Sequence, residues 1–372
     1  WSYRELLERA NRIANVLTRD VGVVPGARVL LRGPNTPMLA ACWFAVLKAG
    51  GICVTTMPLL RARELSYVLE KAHVSLALVD ARTLDDVDLA CAQVAERPDV
   101  LSYGVMGAGS LDERMGAASA THLAVDTSAD DVALIAFTSG TTGKAKGTMH
   151  VHRDVLAICD CFPRHVLRAD PSDLFCGSPP FAFTFGLGGL LLFPLRIGAS
   201  TLLLEQATPP RLAEAIARYR ATVCFTAPTA YRAMAPLAKE HDLSSLRLCV
   251  SAGEMLPLST FEAWERATGV RIIDGIGTTE LLHIFISASG ADIRPGSTGK
   301  VVPGYEARVV DDHGEPVPTG DIGRLAVRGP TGCRYLDDLD RQRAYVQNGW
   351  NITGDSYRLD ADGYFWYQAR SD

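Results

Sequence analysis

The sequence has no apolar run long enough to cross a bilayer: its longest, Gly186 to Leu195, stops at Arg196, well short of the roughly 18 to 20 residues a span requires. It also lacks a block of one charge sign. The 42 acidic and 37 basic residues leave a net charge of −5, and no basic stripe follows the backbone as a nucleic-acid groove would need. Membrane and nucleic acid are thereby set aside as partners. No CxxC pair occurs among the nine cysteines; odd in number and set mostly in apolar runs, they read as reduced core thiols of a cytoplasmic protein, neither disulfides nor zinc ligands. Neither a Met nor a signal-peptide core precedes Trp1-Ser2-Tyr3, so this start reads as a fragment boundary. Internal repeats and low-complexity segments are missing too.

What is present is a chain of 372 residues, 48% of them hydrophobic, enough for two to three domain-lengths of roughly 150 residues and for cores that offset chain entropy. Over residues 1–295, short β-branched apolar runs alternate with helical-period stretches, which predicts an α/β body with two sheet subdomains. Strands are expected at Arg28–Leu31, Leu76–Val79, Ala133–Phe137, Thr201–Leu204, Val223–Phe225, Leu248–Val250 and Arg271–Ile273. Helices are expected at Tyr3–Leu17, Pro37–Ala49, Glu64–Lys71, Arg153–Leu167, Pro209–Tyr219, Pro228–Lys239 and Pro257–Thr268, several opening with Pro in the first turn. Residues 296–369 turn to Gly- and Pro-punctuated short strands, a small β unit with members at Tyr305–Val310, Gly323–Arg328 and Gly363–Tyr367. The Gly-, Ala- and Ser-rich stretch Gly104–Thr127 reads as surface loop.

The strongest local signal is Thr138-Ser139-Gly140-Thr141-Thr142-Gly143-Lys144-Ala145-Lys146-Gly147, directly after the strand ending at Phe137. Flexible amides, four hydroxyls and two ammonium groups in ten residues suit a polyphosphate. A Walker A loop is excluded, because Thr138 stands where its first Gly would be and Ala145 where its Ser or Thr would be. A plain Gly-rich hairpin turn would account for the glycines but not for the hydroxyls and lysines. The second signal is Asp274-Gly275-Ile276-Gly277-Thr278-Thr279-Glu280, again at a strand end, where ligands of open α/β sheets gather. Glu280 occupies the third Gly position of a dinucleotide fingerprint, so that reading fails. A capping box fails as well, since Gly277 stands three residues before Glu280. A Thr hydroxyl for phosphate and a Glu for Mg²⁺ fit better. Ser251-Ala252-Gly253-Glu254 fits a capping box formally, but Pro257 would then fall inside the helix. Thr353-Gly354-Asp355 reads equally as a ribose-binding carboxylate or a polar turn.

In this order and spacing the segments resemble the adenylate-forming superfamily of acyl-CoA synthetases, peptide-synthetase adenylation domains and luciferases, over essentially the whole chain. The resemblance implies ATP, Mg²⁺ and coenzyme A as cofactors. It implies that Thr138 to Gly147, with Lys144 and Lys146, holds the β- and γ-phosphates, while Thr279 and Glu280 serve the α-phosphate and the metal. Gly253, Glu254, Asp274 and Gly275, with Ile276 and Thr278 beside them, would border the nucleotide, and Asp355 and Arg370 would hold the ribose. Ala369 departs from the Gly usual before that Arg. Residues 370–372 would begin the family's hinge, leaving its C-terminal domain and adenylation lysine beyond Asp372.

Amino-acid-activating relatives carry an Asp near the start of the fourth core motif, where this chain reads Phe181-Ala182-Phe183-Thr184-Phe185-Gly186. An aromatic wall without charge suits an aryl carboxylate, although a plain aromatic core cluster would read the same way. The resemblance adds Ala227, Gly277 and His283 to this wall, and the run Thr279 to Phe285 looks like benzoate-type CoA ligases. Gly332-Cys333-Arg334-Tyr335-Leu336-Asp337-Asp338 resembles 2-aminobenzoate-CoA ligases, making anthranilate the expected substrate and Thr184, His283 or a backbone carbonyl near Gly277 the acceptor for its amine. Alternatives are a benzoate-CoA ligase, an aryl adenylation domain that loads a carrier protein, and a fragment that binds adenylate with little turnover.

Overall fold

The computed structural model describes residues 1–138 and 145–370. The chain divides into two compact units, Trp1–Arg153 with Pro180–Phe183, and Asp154–Pro179 with Thr184–Asp372.

In the first unit, β1 (Arg28–Arg32), β2 (Ile52–Thr56), β3 (Leu76–Asp80), β4 (Asp99–Tyr103), β5 (Val132–Phe137) and β6 (Gly147–Val151) form one sheet in the order β4-β3-β1-β2-β5-β6. All neighbours are parallel except the β5–β6 hairpin. Buried on both faces, β2 and β3 as far as Val79 read as unbroken apolar or β-branched runs, as parallel strands do. The flanking helices start where their caps dictate: Ser2 and Glu5 form a capping box before Tyr3–Asn15, and Thr36 caps Pro37–Lys48. Arg32, buried at the end of β1, donates to the carbonyls of Thr83, Met57, Pro58 and Leu60 and faces the Asp86 carboxylate at 3.9 Å, so its buried charge is met mostly by backbone. The expected loop at Gly104–Thr127 contains a helix, Leu111–Ala117, because the Ser110 hydroxyl caps it and Leu111 and Met115 give it a buried face.

The second unit holds a seven-stranded sheet of β7 (Leu174–Gly177), β8 (Ser200–Thr201), β9 (Val223–Thr226), β10 (Leu248–Ser251), β11 (Ile272–Gly277), β12 (Ile284–Ser287) and β13 (Lys300–Val301), in the order β13-β12-β11-β10-β9-β7-β8. Strand alternation sorts its two faces. Cys176, Cys224 and Cys249 stand in register on one face, under Leu212, Ile216, Tyr231 and Trp264 of the covering helices. Phe175 and Phe225 point to the other face, where further aromatic rings collect. An antiparallel sheet follows, β14 (Glu306–Val310), β15 (Ile322–Arg328), β16 (Val346–Gln347), β17 (Trp350–Leu359) and β18 (Phe365–Arg370), in the order β14-β15-β17-β16 with β18 on β17. The α/β class with two helix-flanked sheets and a small β subdomain is borne out.

Several expected elements need correction. The strand at Thr201–Leu204 shrinks to Ser200–Thr201. The helix expected over Arg153–Leu167 ends at Asp160, and a separate π-helical turn spans Pro163–Leu167, closed by Arg168 in the left-handed conformation. Thr353-Gly354-Asp355 is no turn but the middle of β17, with the Thr353 hydroxyl bonded to the Leu325 carbonyl.

Candidate active site

In the first unit the Thr- and Gly-rich segment joins β5 to β6. At its base the Thr138 N–H donates to the Lys146 carbonyl at 2.9 Å, and the Lys146 N–H donates to Thr138 Oγ1 at 3.4 Å. These two bonds tie the end of β5 to the start of β6. Ser139, Gly140, Thr141, Thr142, Gly143 and Lys144 lie outside the described residues. Phe183 also belongs to this unit, its N–H bonded to the Pro180 carbonyl.

The remaining expected residues lie in the second unit. Here His283, 2% exposed, stands among three rings, with centroids 4.5 Å from Phe193, 5.9 Å from Phe185 and 6.0 Å from Phe162. Its Nε2 lies 3.4 Å from the Phe185 carbonyl, which can only accept, so Nε2 carries the proton and Nδ1 is the acceptor. Nδ1 is buried with no hydrogen-bond partner. Burial pushes the imidazole pKa down to about 3, against a small opposing effect of the Phe185 carbonyl. The ring is therefore neutral at physiological pH. Two glycines that the sequence reading passed over make its seat: a Cβ at Gly188 would overlap the His283 ring, and one at Gly189 the Phe225 ring. Both open a π-helical turn, Gly188–Leu192, of the kind that often marks functional positions. Their signal was legible as paired glycines within the longest apolar run. Gly277 is required for the same reason, since a Cβ there would sit 2.6 Å from the His283 carbonyl carbon. Ala227 follows β9 at the N-cap position of the helix Pro228–Met234, and Thr184 opens the turn that carries Phe185.

After Gly277 the chain forms a single 3₁₀ turn, Thr279–Leu281, capped by the Thr278 hydroxyl, which accepts from the Leu281 N–H at 3.1 Å. The cap sits one residue later than the capping-box test examined. Leu282 then adopts φ 70°, a strained value for a residue with a side chain, which persists only where surroundings over-determine it. They do: Thr331 Oγ1 donates to the Leu281 carbonyl at 2.8 Å and the Tyr335 hydroxyl to Glu280 Oε1 at 2.9 Å. Glu280 thus presents its half-buried carboxylate from a fixed turn. No sequence pattern announces that Tyr335 meets Glu280.

At the neighbouring strand ends, Asp274 lies beside Ser251 across β10 and β11, and its Oδ1 is buried without a partner. Burial holds its carboxyl well above the usual carboxylate range, only partly offset by the Gly275 N–H. Gly275 packs against Ile284, and Ile276 continues the strand. Gly253, at φ 91°, and the exposed Glu254 form the turn after β10, and the next helix starts at Leu258 with Pro257 as its N-cap, as the sequence required. Asp355 and Arg370 face each other in register across β17 and β18, joined at 3.2 Å.

Among the described residues no group of three or more His, Cys, Asp or Glu could hold a metal by itself. A lone fixed carboxylate fits an ion such as Mg²⁺ that draws most of its oxygens from phosphate and water.

Residues 1–334 match the family described as AMP-binding enzyme. The chain is 32% identical to a benzoate–CoA ligase of Thauera aromatica, covering all of this chain and 72% of that protein. It is 34% identical to an anthranilate–CoA ligase of Pseudomonas aeruginosa, over 99% of this chain and 70% of the relative. Among solved structures, it superposes on the anthranilate CoA ligase AuaEII in complex with anthranoyl-AMP with a TM-score of 0.95 and 37% identity, over 99% of this chain and 73% of that one. A benzoate CoA ligase from Burkholderia xenovorans gives 0.92 and 30%, over 100% and 75%. With the strand-end motifs and the fold in agreement, the chain belongs to the AMP-binding, adenylate-forming enzymes, in the large N-terminal architecture of their benzoate and anthranilate CoA ligase type.

Proposed function

We propose that this protein is an AMP-forming acid–thiol ligase that activates an aromatic carboxylate, with 2-aminobenzoate preferred. The observation that carries the preference is the buried Nδ1 of His283. A neutral imidazole whose Nε2–H is turned to the Phe185 carbonyl leaves one acceptor without a donor, and such an orphan costs about 1 to 3 kcal/mol. An ortho amine supplies the missing donor, while Phe185, Phe193 and Phe225 supply the flat apolar contact.

The chemistry follows from charge. The aryl carboxylate attacks the α-phosphorus of ATP, pyrophosphate leaves, and an aryl-AMP anhydride forms. The coenzyme A thiolate then attacks the acyl carbon and AMP departs. Thr138, Lys146 and the intervening segment neutralise the leaving pyrophosphate, Thr279 donates to the α-phosphate, and Asp355 with Arg370 holds the ribose. Mg²⁺ bound by Glu280 would lower the negative charge that the attacking carboxylate meets. Gly253, Glu254, Asp274 and Gly275 border the adenine in this assignment, and Ile276 and Thr278 lie with the cofactor-binding residues. Thr184, Phe183, Ala227 and Gly277 complete the aryl wall.

The test is to incubate the chain with ATP, Mg²⁺ and, separately, anthranilate, benzoate and an α-amino acid, and to quantify bound adenylate by mass spectrometry. Anthraniloyl-AMP should exceed benzoyl-AMP by about tenfold or more, as one satisfied buried acceptor predicts. Equal yields would remove the ortho preference, and aminoacyl-AMP alone would overturn the aryl assignment.

A further inference from the structure

We propose that Tyr335 is a positioning residue for the metal-binding carboxylate: its hydroxyl fixes the Glu280 rotamer so that Glu280 is ready to bind Mg²⁺ with ATP. The inference rests on the assignment of Glu280 made above.

Three features of the segment support it. The Tyr335 hydroxyl donates to Glu280 Oε1 at 2.9 Å across fifty-five positions of sequence, a charge-assisted bond of the stronger class. Tyr335 is itself held: the Gln342 carboxamide accepts from its N–H at 2.7 Å and donates to the Cys333 carbonyl at 3.0 Å, and Asn351 accepts from the Cys333 N–H at 3.0 Å. Its ring is 6% exposed and meets Tyr345 edge-on, with centroids 5.7 Å apart. The same segment also grips the turn through Thr331 and the Leu281 carbonyl. Thr331 holds backbone and Tyr335 holds the functional atom. A glutamate left to sample its rotamers would lose that freedom on binding the ion, and a fixed one has lost it on folding.

Three variants separate the roles. Tyr335→Phe keeps the ring, the Tyr345 contact and the Gln342 staple and removes only the hydroxyl. Thr331→Val loosens the segment without touching the carboxylate. Glu280→Gln tests the underlying assignment. Binding of Mn²⁺, as a paramagnetic stand-in for Mg²⁺, is followed by electron paramagnetic resonance with α,β-methylene-ATP present. Tyr335→Phe should weaken Mn²⁺ binding about tenfold, the scale of a lost partner to a metal-binding group, with adenylate formation recovering at saturating Mg²⁺. Thr331→Val should lower the melting temperature and weaken Mn²⁺ binding clearly less than Tyr335→Phe does. Wild-type affinity in Tyr335→Phe, or equal weakening in Tyr335→Phe and Thr331→Val, would overturn the positioning role. If Tyr335→Phe alone fails to weaken binding while Glu280→Gln abolishes it, only the role of Tyr335 falls; an unaffected Glu280→Gln removes the ground for both.

Discussion

At the scale of single residues, His283 carries a pH signature. The unfolded chain takes up a proton near the ordinary histidine value of 6.5, whereas the native ring resists protonation down to about 3. Stability from this group is therefore present above 6.5 and lost as pH falls through 6.5 toward 3. Between pH 7.5 and 5 the loss is about 2 kcal/mol. A His283→Leu variant should lack that part of the pH dependence in urea unfolding, whatever its absolute stability; identical slopes in the two proteins would contradict the buried neutral imidazole. The sequence carried His283 only through family resemblance, because a histidine in an apolar run looks the same whether it is a core residue or a ligand reader. What distinguishes it, an acceptor without a donor, is a property of packing. Glu280 drew notice by its own motif, whereas Asp355 and Arg370 were paired only through the family resemblance and Tyr335 had no pattern to betray its contact with Glu280.

At the scale of elements, expectation succeeded where local physics decides and failed where tertiary contacts do. Pro209–Tyr219 was placed correctly by its initial prolines and its amphipathic period. β12 and the middle of β17 were not foreseen, because an apolar run beside a motif and a Thr-Gly-Asp triplet become strands only through pairing with β11 and β15. The π-helical turn Gly188–Leu192 belongs to the same category, being shaped by the rings it must pass. Gly188→Ala should push a methyl into the His283 ring and cost about 1 to 3 kcal/mol, the usual range for overpacking. Its effect on aryl-carboxylate binding should exceed its effect on ATP binding, measured by calorimetry. Equal losses for both ligands would mean that the turn supports the fold alone.

At the scale of the whole molecule, the thiols report on integrity. All nine cysteines are buried thiols outside any disulfide; burial raises Cys159 to about 12 and Cys42, Cys53 and Cys249 further above their ordinary value, and the hydrogen bond with Cys224, together with burial, does the same for Cys176. Thiolates of these five form too rarely in the native state to react. A chromogenic disulfide reagent at pH 8 should find few thiols in the native chain within minutes and all nine in guanidinium; rapid native reaction of most of them would contradict the packing. The reading of the cysteines as reduced core residues needed only their apolar settings and odd number. How three of them align across β7, β9 and β10 required the sheet order, which no local pattern encodes.

The bonds between Thr138 and Lys146 have a further consequence for how this protein can vary. Because they tie the end of β5 to the start of β6, this pairing is fixed independently of the intervening segment. Its length is decoupled from the register of the sheet, so insertions and deletions there alter reach toward a ligand while the β5–β6 pairing stays as it is. A segment in that place is in this sense interchangeable, and the scaffold that carries it can remain constant while the segment's length evolves.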